Sequence, residues 1–134
     1  MASSALLLLA RMLLAAMFLA SGYSALADIQ GTAGYFAGLG LGPAPVLAWA
    51  VGIFELVTGI LLVIGLQTRA VAVLLAVFTI VATYLGHYGQ GGGDPAATFT
   101  HNQALLKDVA VAGGMILLAM LGAGRLSLDS MWGW

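Results

Sequence analysis

Four long apolar segments dominate this sequence, and each is long enough to cross a lipid bilayer as a helix. A transmembrane helix needs about 20 mostly apolar residues, and the four segments occupy residues 5–27, 46–66, 70–88 and 104–123. Hydrophobic residues make up 62% of the 134-residue chain and charged residues only 7%, whereas a soluble domain carries about 25% charged residues. We therefore predict an all-α membrane protein, a four-helix bundle in which residues 1–134 form a single domain.

The connections and the few charges predict the topology. The link at residues 67–69 is so short that the second and third helices should be antiparallel neighbours. Three arginines lie near one face of the membrane and one lysine lies nearer the other, so the positive-inside rule predicts that both termini are cytoplasmic. These residues are Arg11, Arg69, Arg125 and, on the opposite side, Lys107.

The first apolar segment allows two interpretations. Ala25-Leu26-Ala27 before Asp28 is a small-residue pattern that signal peptidase accepts, which would make the segment a cleaved signal peptide. No Lys or Arg side chain precedes the apolar run, however, and Arg11 interrupts it. At roughly 23 residues the segment is also long enough to span the bilayer. We therefore expect a retained helix.

Glycine and proline mark the two longer connections. Residues 28–45 are rich in glycine and contain Pro43 and Pro45, which predicts a turn whose aromatic side chains dip into the membrane interface. Residues 89–103 form the longest predicted loop. Its glycine run at residues 91–93 is too flexible to hold a phosphate in fixed geometry, and no phosphate-binding lysine follows it.

The second segment carries one acidic residue, Glu55, near the middle of the membrane. On a helix Glu55 falls between Gly52 and Gly59 on one face, and such a stripe faces other helices rather than lipid. An unpartnered charge at this depth costs about 3 kcal/mol on insertion scales. Glu55 therefore needs a partner, or it must be protonated.

Arg11 in the first segment is the candidate partner for Glu55. Its side chain either snorkels to the interface or pairs with Glu55, since a depth difference of roughly 7 Å is within the reach of an arginine. Pairing would lower the cost of placing both charges in the membrane, although it can also serve only to fix helix register. Glu55 and Arg11 are the residues that we expect to handle protons or a quinone.

A polar strip on the third helix is formed by Thr79, Thr83 and His87. The threonines either bond back to their own helix backbone or line a small polar cavity. His87 lies between Tyr84 and Tyr88 at the membrane boundary, so it belongs either to an aromatic belt or to a site that contacts a ligand head group.

Composition excludes several kinds of chemistry. The chain has no cysteine, which excludes disulfides, thiolate nucleophiles and cysteine-ligated zinc or iron–sulfur clusters. His87 and His101 flank one loop without a set of carboxylates, so we predict neither a metal site nor haem ligation. With a net charge of −1 and four Lys or Arg residues, nucleic acid is not an expected partner. Any redox chemistry must use a quinone, another borrowed cofactor or a partner.

A series of short motifs runs through almost the whole chain. They are Arg11 and Ser21-Gly22, the turn from Gly40 to Pro45, Glu55-Leu-Val-Thr-Gly59, Gly65-Leu-Gln-Thr-Arg69, Lys107 with Gly113-Gly114, and Gly124-Arg125-Leu126-Ser127-Leu128-Asp129. Together they resemble the DoxX family of small bacterial membrane proteins, from which only the glycine-rich loop departs. The resemblance implies a four-helix fold in the bacterial cytoplasmic membrane. It also implies a role near membrane redox chemistry, because relatives are described as small subunits of quinone-linked oxidoreductases and as membrane partners of systems that resist oxidants.

We therefore expect a quinone-interacting or membrane-anchoring subunit of a redox system. It would lie in the lipid bilayer, work with a redox enzyme as its partner, not be catalytic alone and hold no covalently bound cofactor. Two alternatives remain open: a non-catalytic assembly or scaffold protein, and a small-solute or lipid-handling protein that acts as a homo-oligomer. Besides Glu55 and Arg11, the candidate ligand-binding residues are Arg69, Lys107, Thr79, Thr83, His87, Arg125 and Asp129.

Overall fold

The computed structural model describes residues 3–133, and within them every regular element is a helix. Four helices are long and apolar enough to cross a membrane, which confirms the predicted all-α membrane architecture with four spans. One short helix follows the first span, and another lies near the end of the chain. In chain order the helices are α1 (Ser4–Ala27), α2 (Ile29–Gly38), α3 (Ala44–Ile64), α4 (Thr68–His87), α5 (Pro95–Leu121) and α6 (Leu128–Met131).

Helix α2 lies within residues 28–45, where the sequence predicted only a turn, so that prediction is wrong. The Asp28 side chain accepts a hydrogen bond from the backbone N–H of Gly31 at 3.0 Å. The Thr32 hydroxyl donates to the carbonyl oxygens of Ala25 and Asp28. An aspartate at the N-cap satisfies a donor that a helix start otherwise leaves free, and this outweighs the unfavourable helix propensity of the glycines.

Helix α5 begins at Pro95, nine residues before the predicted start at residue 104, so the long loop was also predicted wrongly. Proline suits the first position of a helix because its fixed φ is already helical and its missing N–H is not needed there. The Asp94 carboxylate accepts a hydrogen bond from Ala96 N–H, and the Thr100 hydroxyl donates back to the Ala96 carbonyl. The polar composition of residues 95–103 concealed these helix signals.

The first of two compact units comprises α1, α2 and α3 together with the C-terminal segment that contains α6. α1 and α3 run antiparallel with their backbones close together: a Cβ atom on Gly22 would lie 2.9 Å from the Gly52 carbonyl oxygen. The predicted small-residue stripe therefore does face another helix. The buried residues of α1 are Arg11, Ala15, Phe18 and Gly22, and those of α3 are Ala44, Ala48, Gly52, Glu55, Thr58, Gly59 and Leu62.

The second unit, Arg69–Leu121, contains α4 and α5. The two helices are antiparallel, because Arg69 at the start of α4 contacts the end of α5 while His87 at the end of α4 contacts His101 near the start of α5. The buried residues of α4 include Val71, Ala72, Leu75, Ala76, Thr79 and Thr83. The prediction that residues 1–134 form one domain stays a prediction.

Candidate functional site

Arg11 lies inside the first unit with its guanidinium bound to backbone carbonyl oxygens. The side chain is 1% exposed. Nε donates to the Leu62 carbonyl at 2.6 Å, and the terminal nitrogens donate to Val63, Ala123 and Leu126 at 2.5–3.1 Å. The last carbonyls of a helix lack partners within the helix and carry partial negative charge. Arg11 therefore caps the C-terminal end of α3 and ties it to the segment after α5.

Neither interpretation of Arg11 made from the sequence is correct. The side chain does not snorkel, since it is buried, and it does not pair with Glu55. Leu62, whose carbonyl Arg11 binds, is two helical turns or roughly 10 Å beyond Glu55 along α3. The guanidinium instead binds two carbonyl oxygens at the end of α3 and two in the segment after α5, which together use its fork of donors.

Asp129 completes what we call the polar clasp, formed by Arg11, Gly65, Thr68 and Asp129. The Asp129 carboxylate accepts hydrogen bonds from Gln67 N–H at 2.6 Å and Thr68 N–H at 2.8 Å, and its own N–H donates to the Gly65 carbonyl at 2.8 Å. Asp129 also lies close enough to Arg11 for their opposite charges to attract. The clasp explains why a Gly-x-Gln-Thr turn and a terminal Ser-Leu-Asp occur in one chain: each motif supplies partners for the other.

Arg69 plays a similar part in the second unit. Its guanidinium donates to the carbonyl oxygens of Ala119 and Met120 at 3.0 and 2.5 Å, with a longer contact of 3.4 Å to Leu121. These are the last carbonyls of α5, so Arg69 caps that helix. Because the guanidinium N–H groups of Arg69 bind backbone carbonyls, few of them remain for the ligand binding that the sequence predicted.

Glu55 is the carboxylate buried in a spanning helix. It is 6% exposed, and the Ser21 side chain of α1 is its polar neighbour. No Lys or Arg nitrogen within residues 3–133 lies within 4.0 Å of the Glu55 carboxylate. The neighbouring Thr58 hydroxyl donates to the Phe54 carbonyl of its own helix. Glu55 thus has a neutral polar neighbour and no cation among the described residues.

Thr79 and Thr83 are buried on one face of α4, as the sequence predicted, but their hydroxyl groups do not bond back to the helix. Both are about one-twentieth exposed, and neither hydroxyl has a hydrogen-bond partner within residues 3–133. Thr58 and Thr100 do make the back-bond. The back-bonding interpretation is therefore wrong for Thr79 and Thr83, which keep donors free for a polar ligand or water.

A histidine pair links the ends of α4 and α5. The Nδ1 atoms of His87 and His101 lie 2.9 Å apart, so one ring donates a hydrogen bond to the other. On its other side, His87 Nε2 lies 4.0 Å from the Asp108 carboxylate. In the described part of the chain no group of three or more such side chains is placed to hold a metal ion. Sequence reasoning missed the pair and its Asp108 neighbour, because nothing in the spacing showed that the two helices bring them together.

The two remaining candidate cations, Lys107 and Arg125, are exposed. Lys107 lies with Phe99, Thr100 and Gln103 along an open groove on α5. Arg125 lies in the segment between α5 and α6. The structure therefore places the candidate residues in separate locations. These are the clasp (Arg11, Asp129), the end of α5 (Arg69), the buried face of α3 (Glu55), the α4 face that leads to the histidine pair (Thr79, Thr83, His87), the surface of α5 (Lys107) and the segment after α5 (Arg125).

Comparison with known proteins agrees with the four-helix membrane architecture. A family model described as DoxX matches residues 6–88, which is more than half of the chain. The chain belongs to the DoxX family. It is 36% identical over 126 residues to inner membrane protein YphA of Escherichia coli (strain K12), covering 92% of this chain and 88% of that protein. It is 28% identical over 124 residues to inner membrane protein YqjF of the same organism, covering 92% and 89%. No solved structure matches.

This DoxX-family protein is a multi-pass inner membrane protein, as the sequence predicted. The family match spans α1 to α4 and so includes Arg11, Glu55 and the Gly65-to-Arg69 turn. Within that region, Arg11 is engaged with backbone carbonyls, while Glu55 retains a carboxyl that can exchange a proton or accept and donate hydrogen bonds. In the sequence Ser21 stands out only as part of the Ser21-Gly22 motif, and its spacing from Glu55 does not reveal that the two residues are neighbours.

Proposed function

We propose that this DoxX-family protein is a quinone-interacting membrane subunit of a redox system and that Glu55 is its proton-handling residue. The observation that carries the proposal is a carboxyl group buried in a spanning helix, with a hydroxyl neighbour and, within residues 3–133, no Lys or Arg nitrogen within 4.0 Å. Ionisable groups inside the membrane are costly, and they commonly mark proton or ligand pathways. The family resemblance, which implies a role near membrane redox chemistry, supports the choice of a quinone as the ligand.

The proposed chemistry divides the work between two proteins. Reduction of a quinone to a quinol consumes two electrons and two protons. Because the chain has no cysteine, it has no thiol redox chemistry of its own, and the proposal assigns the electrons to a partner oxidoreductase. Glu55 would donate a hydrogen bond or a proton to a quinone carbonyl while Ser21 holds its carboxyl in place. Arg11 is not part of this step, since its donors bind the backbone.

The proposal is tested with Glu55→Gln in the complex isolated from native membranes in mild detergent. Two quantities are measured: the quinone that co-purifies and the quinone-dependent turnover per assembled complex. A general acid contributes about 10²- to 10⁴-fold to rate, so we expect turnover to fall at least about 10-fold with normal recovery of the complex. Thr58→Val, one turn away and also buried, is the matched control and should keep full turnover.

Unchanged turnover in Glu55→Gln, together with the absence of any co-purifying quinone, would refute the proposal. Glu55→Asp adds a second check, because it keeps the carboxyl but shortens its reach. A role in proton handling predicts partial activity for Glu55→Asp, between the values for Glu55→Gln and the unaltered protein.

A second candidate is a non-catalytic assembly or scaffold protein, and the polar clasp favours it. Arg11 and Asp129 make hydrogen bonds to backbone groups that fix the ends of helices, which is a structural role. Under this alternative, Glu55→Gln lowers recovery of the complex but leaves the turnover of each assembled complex unchanged. The same experiment therefore separates the two functions.

A further inference from the structure

Lys107 lies in the apolar part of α5 but near one edge of it. At 1.5 Å per residue the 27-residue helix is about 40 Å long, whereas the hydrocarbon layer is about 30 Å thick. The polar residues 95–103 at the start of α5 account for the excess, and the apolar run begins at Ala104. Lys107 thus lies roughly 5 Å, three residues, inside the boundary of the hydrocarbon.

The side chain of Lys107 can extend its ammonium group to that boundary. Side chains on a helix lean toward its N-terminus, and long cationic chains in a membrane extend their charged ends to the interface. An open groove of about 450 Å³ follows this direction along one face of α5. Its lining residues are Phe99, Thr100, Gln103, Ala104 and Lys107.

The charge of Lys107 is not balanced by a carboxylate of the chain. Within residues 3–133 no carboxylate oxygen lies within 4.0 Å of the Lys107 ammonium. The adjacent Asp108 lies instead near His87 on another side of the helix. Arg11 and Arg69 are bound to carbonyl oxygens, whereas Lys107 is an exposed cation in a spanning helix whose ammonium has no hydrogen-bond partner within residues 3–133.

The groove also offers the neutral groups that would accompany an anion at the interface. Gln103 is exposed and can donate from its amide nitrogen. Phe99 is exposed and precedes the apolar run by five residues, and aromatic side chains are enriched at the level of lipid head groups. An ammonium and an amide at the edge of the hydrocarbon match a phosphodiester oxygen, which is the anion present at that depth.

We propose that this groove of α5 binds the phosphate of an anionic phospholipid. Lys107 supplies the positive charge that pairs with the phosphate, and Gln103 donates a hydrogen bond to it. The site is independent of Glu55 and of the proposed quinone chemistry. It places a specific lipid against the second unit, beside the histidine pair at the same end of α4 and α5.

The test uses the full-length protein in nanodiscs that contain equal amounts of palmitoyl-oleoyl phosphatidylcholine and phosphatidylglycerol. After release into mild detergent, native mass spectrometry counts the lipids of each kind that remain bound. One lysine near anionic lipid contributes about fivefold in affinity, so the unaltered protein should retain phosphatidylglycerol over phosphatidylcholine by about that factor. Lys107→Gln should lose the preference, and Lys107→Arg should keep it.

Arg125→Gln is the matched control, because Arg125 is also an exposed cation but lies outside the groove. It should retain the lipid preference of the unaltered protein. The proposal is wrong if the unaltered protein shows no preference, if Lys107→Gln keeps it, or if Arg125→Gln loses it equally. Displacement of the lipid by excess inorganic phosphate would also overturn it, since that result would indicate a site for a soluble anion.

Discussion

Replacing Asp129 by asparagine removes one charge from the polar clasp while keeping the shape of the side chain. The carboxylate accepts hydrogen bonds from Gln67 N–H and Thr68 N–H, and the residue is 4% exposed. An asparagine can present its oxygen to only one of these N–H groups and must turn its own NH₂ donor toward the other. One backbone donor therefore loses its acceptor in a place that water hardly reaches.

The expected loss follows from the two interactions that the charge makes. A hydrogen bond to a charged group contributes about 1.5–3 kcal/mol, and attraction between a carboxylate and a helix N-terminus contributes about 0.3–1 kcal/mol. Asp129→Asn should therefore lower the free energy of unfolding by about 2–4 kcal/mol. Titration with sodium dodecyl sulfate in mixed micelles, followed by circular dichroism, measures this difference.

Asp94→Asn provides the control for this measurement. Asp94 also accepts a hydrogen bond from a backbone N–H at a helix start, that of Ala96, but it is exposed to solvent. Its replacement should cost less than about 1 kcal/mol, because water can take over the lost bond. The account of the clasp is refuted if the free energy of unfolding of Asp129→Asn lies within about 0.5 kcal/mol of that of the unaltered protein. It is also refuted if Asp129→Asn and Asp94→Asn lower the free energy of unfolding by the same amount.

Two further predictions concern stability and use the same titration. Arg11→Lys should destabilise by about 2–4 kcal/mol, because one ammonium cannot reach the four carbonyls that the guanidinium binds and leaves some of them buried without a donor; a loss below about 0.5 kcal/mol would contradict this. Gly22→Ala should destabilise by about 1–3 kcal/mol, since its Cβ would lie 2.9 Å from the Gly52 carbonyl oxygen. Gly113→Ala, where a Cβ meets nothing within 4 Å, should instead stabilise by up to about 1 kcal/mol; equal effects at the two glycines would show that close helix approach is not the cause.

The spans and their inward faces were predictable because both depend on local pattern. Hydropathy over about 20 residues identifies a membrane helix, and the three- and four-residue spacing around Glu55 identified the side of α3 that packs against α1. Helix α2 and the first part of α5, which lie in the two predicted connections, were also partly predictable. Asp28 before α2, and Asp94 followed by Pro95 at the start of α5, are ordinary helix-start signals. The glycines and polar residues around them favour a loop and so obscure these signals.

The partners of Arg11 could not be predicted, because they are backbone carbonyls and every residue has one. Only the fold determines which carbonyls lack a partner and lie within reach: those at the end of α3 and in the segment after α5. The pairing of Arg11 with Glu55 was predicted from their opposite charges and from a depth difference that an arginine side chain can bridge. Backbone carbonyl oxygens can satisfy a buried guanidinium as well. His87 and His101 likewise meet because α4 and α5 are antiparallel, which is a property of the hairpin and not of their spacing.

The most direct test of the central claim, that Glu55 handles protons for a quinone, is a redox-induced infrared difference spectrum of the isolated complex. We expect reduction of the bound quinone to change a carboxyl C=O band. This change should be absent from the spectrum of Glu55→Gln and present in that of Thr58→Val. A spectrum without a carboxyl change, or with the same carboxyl change in Glu55→Gln, would contradict the claim.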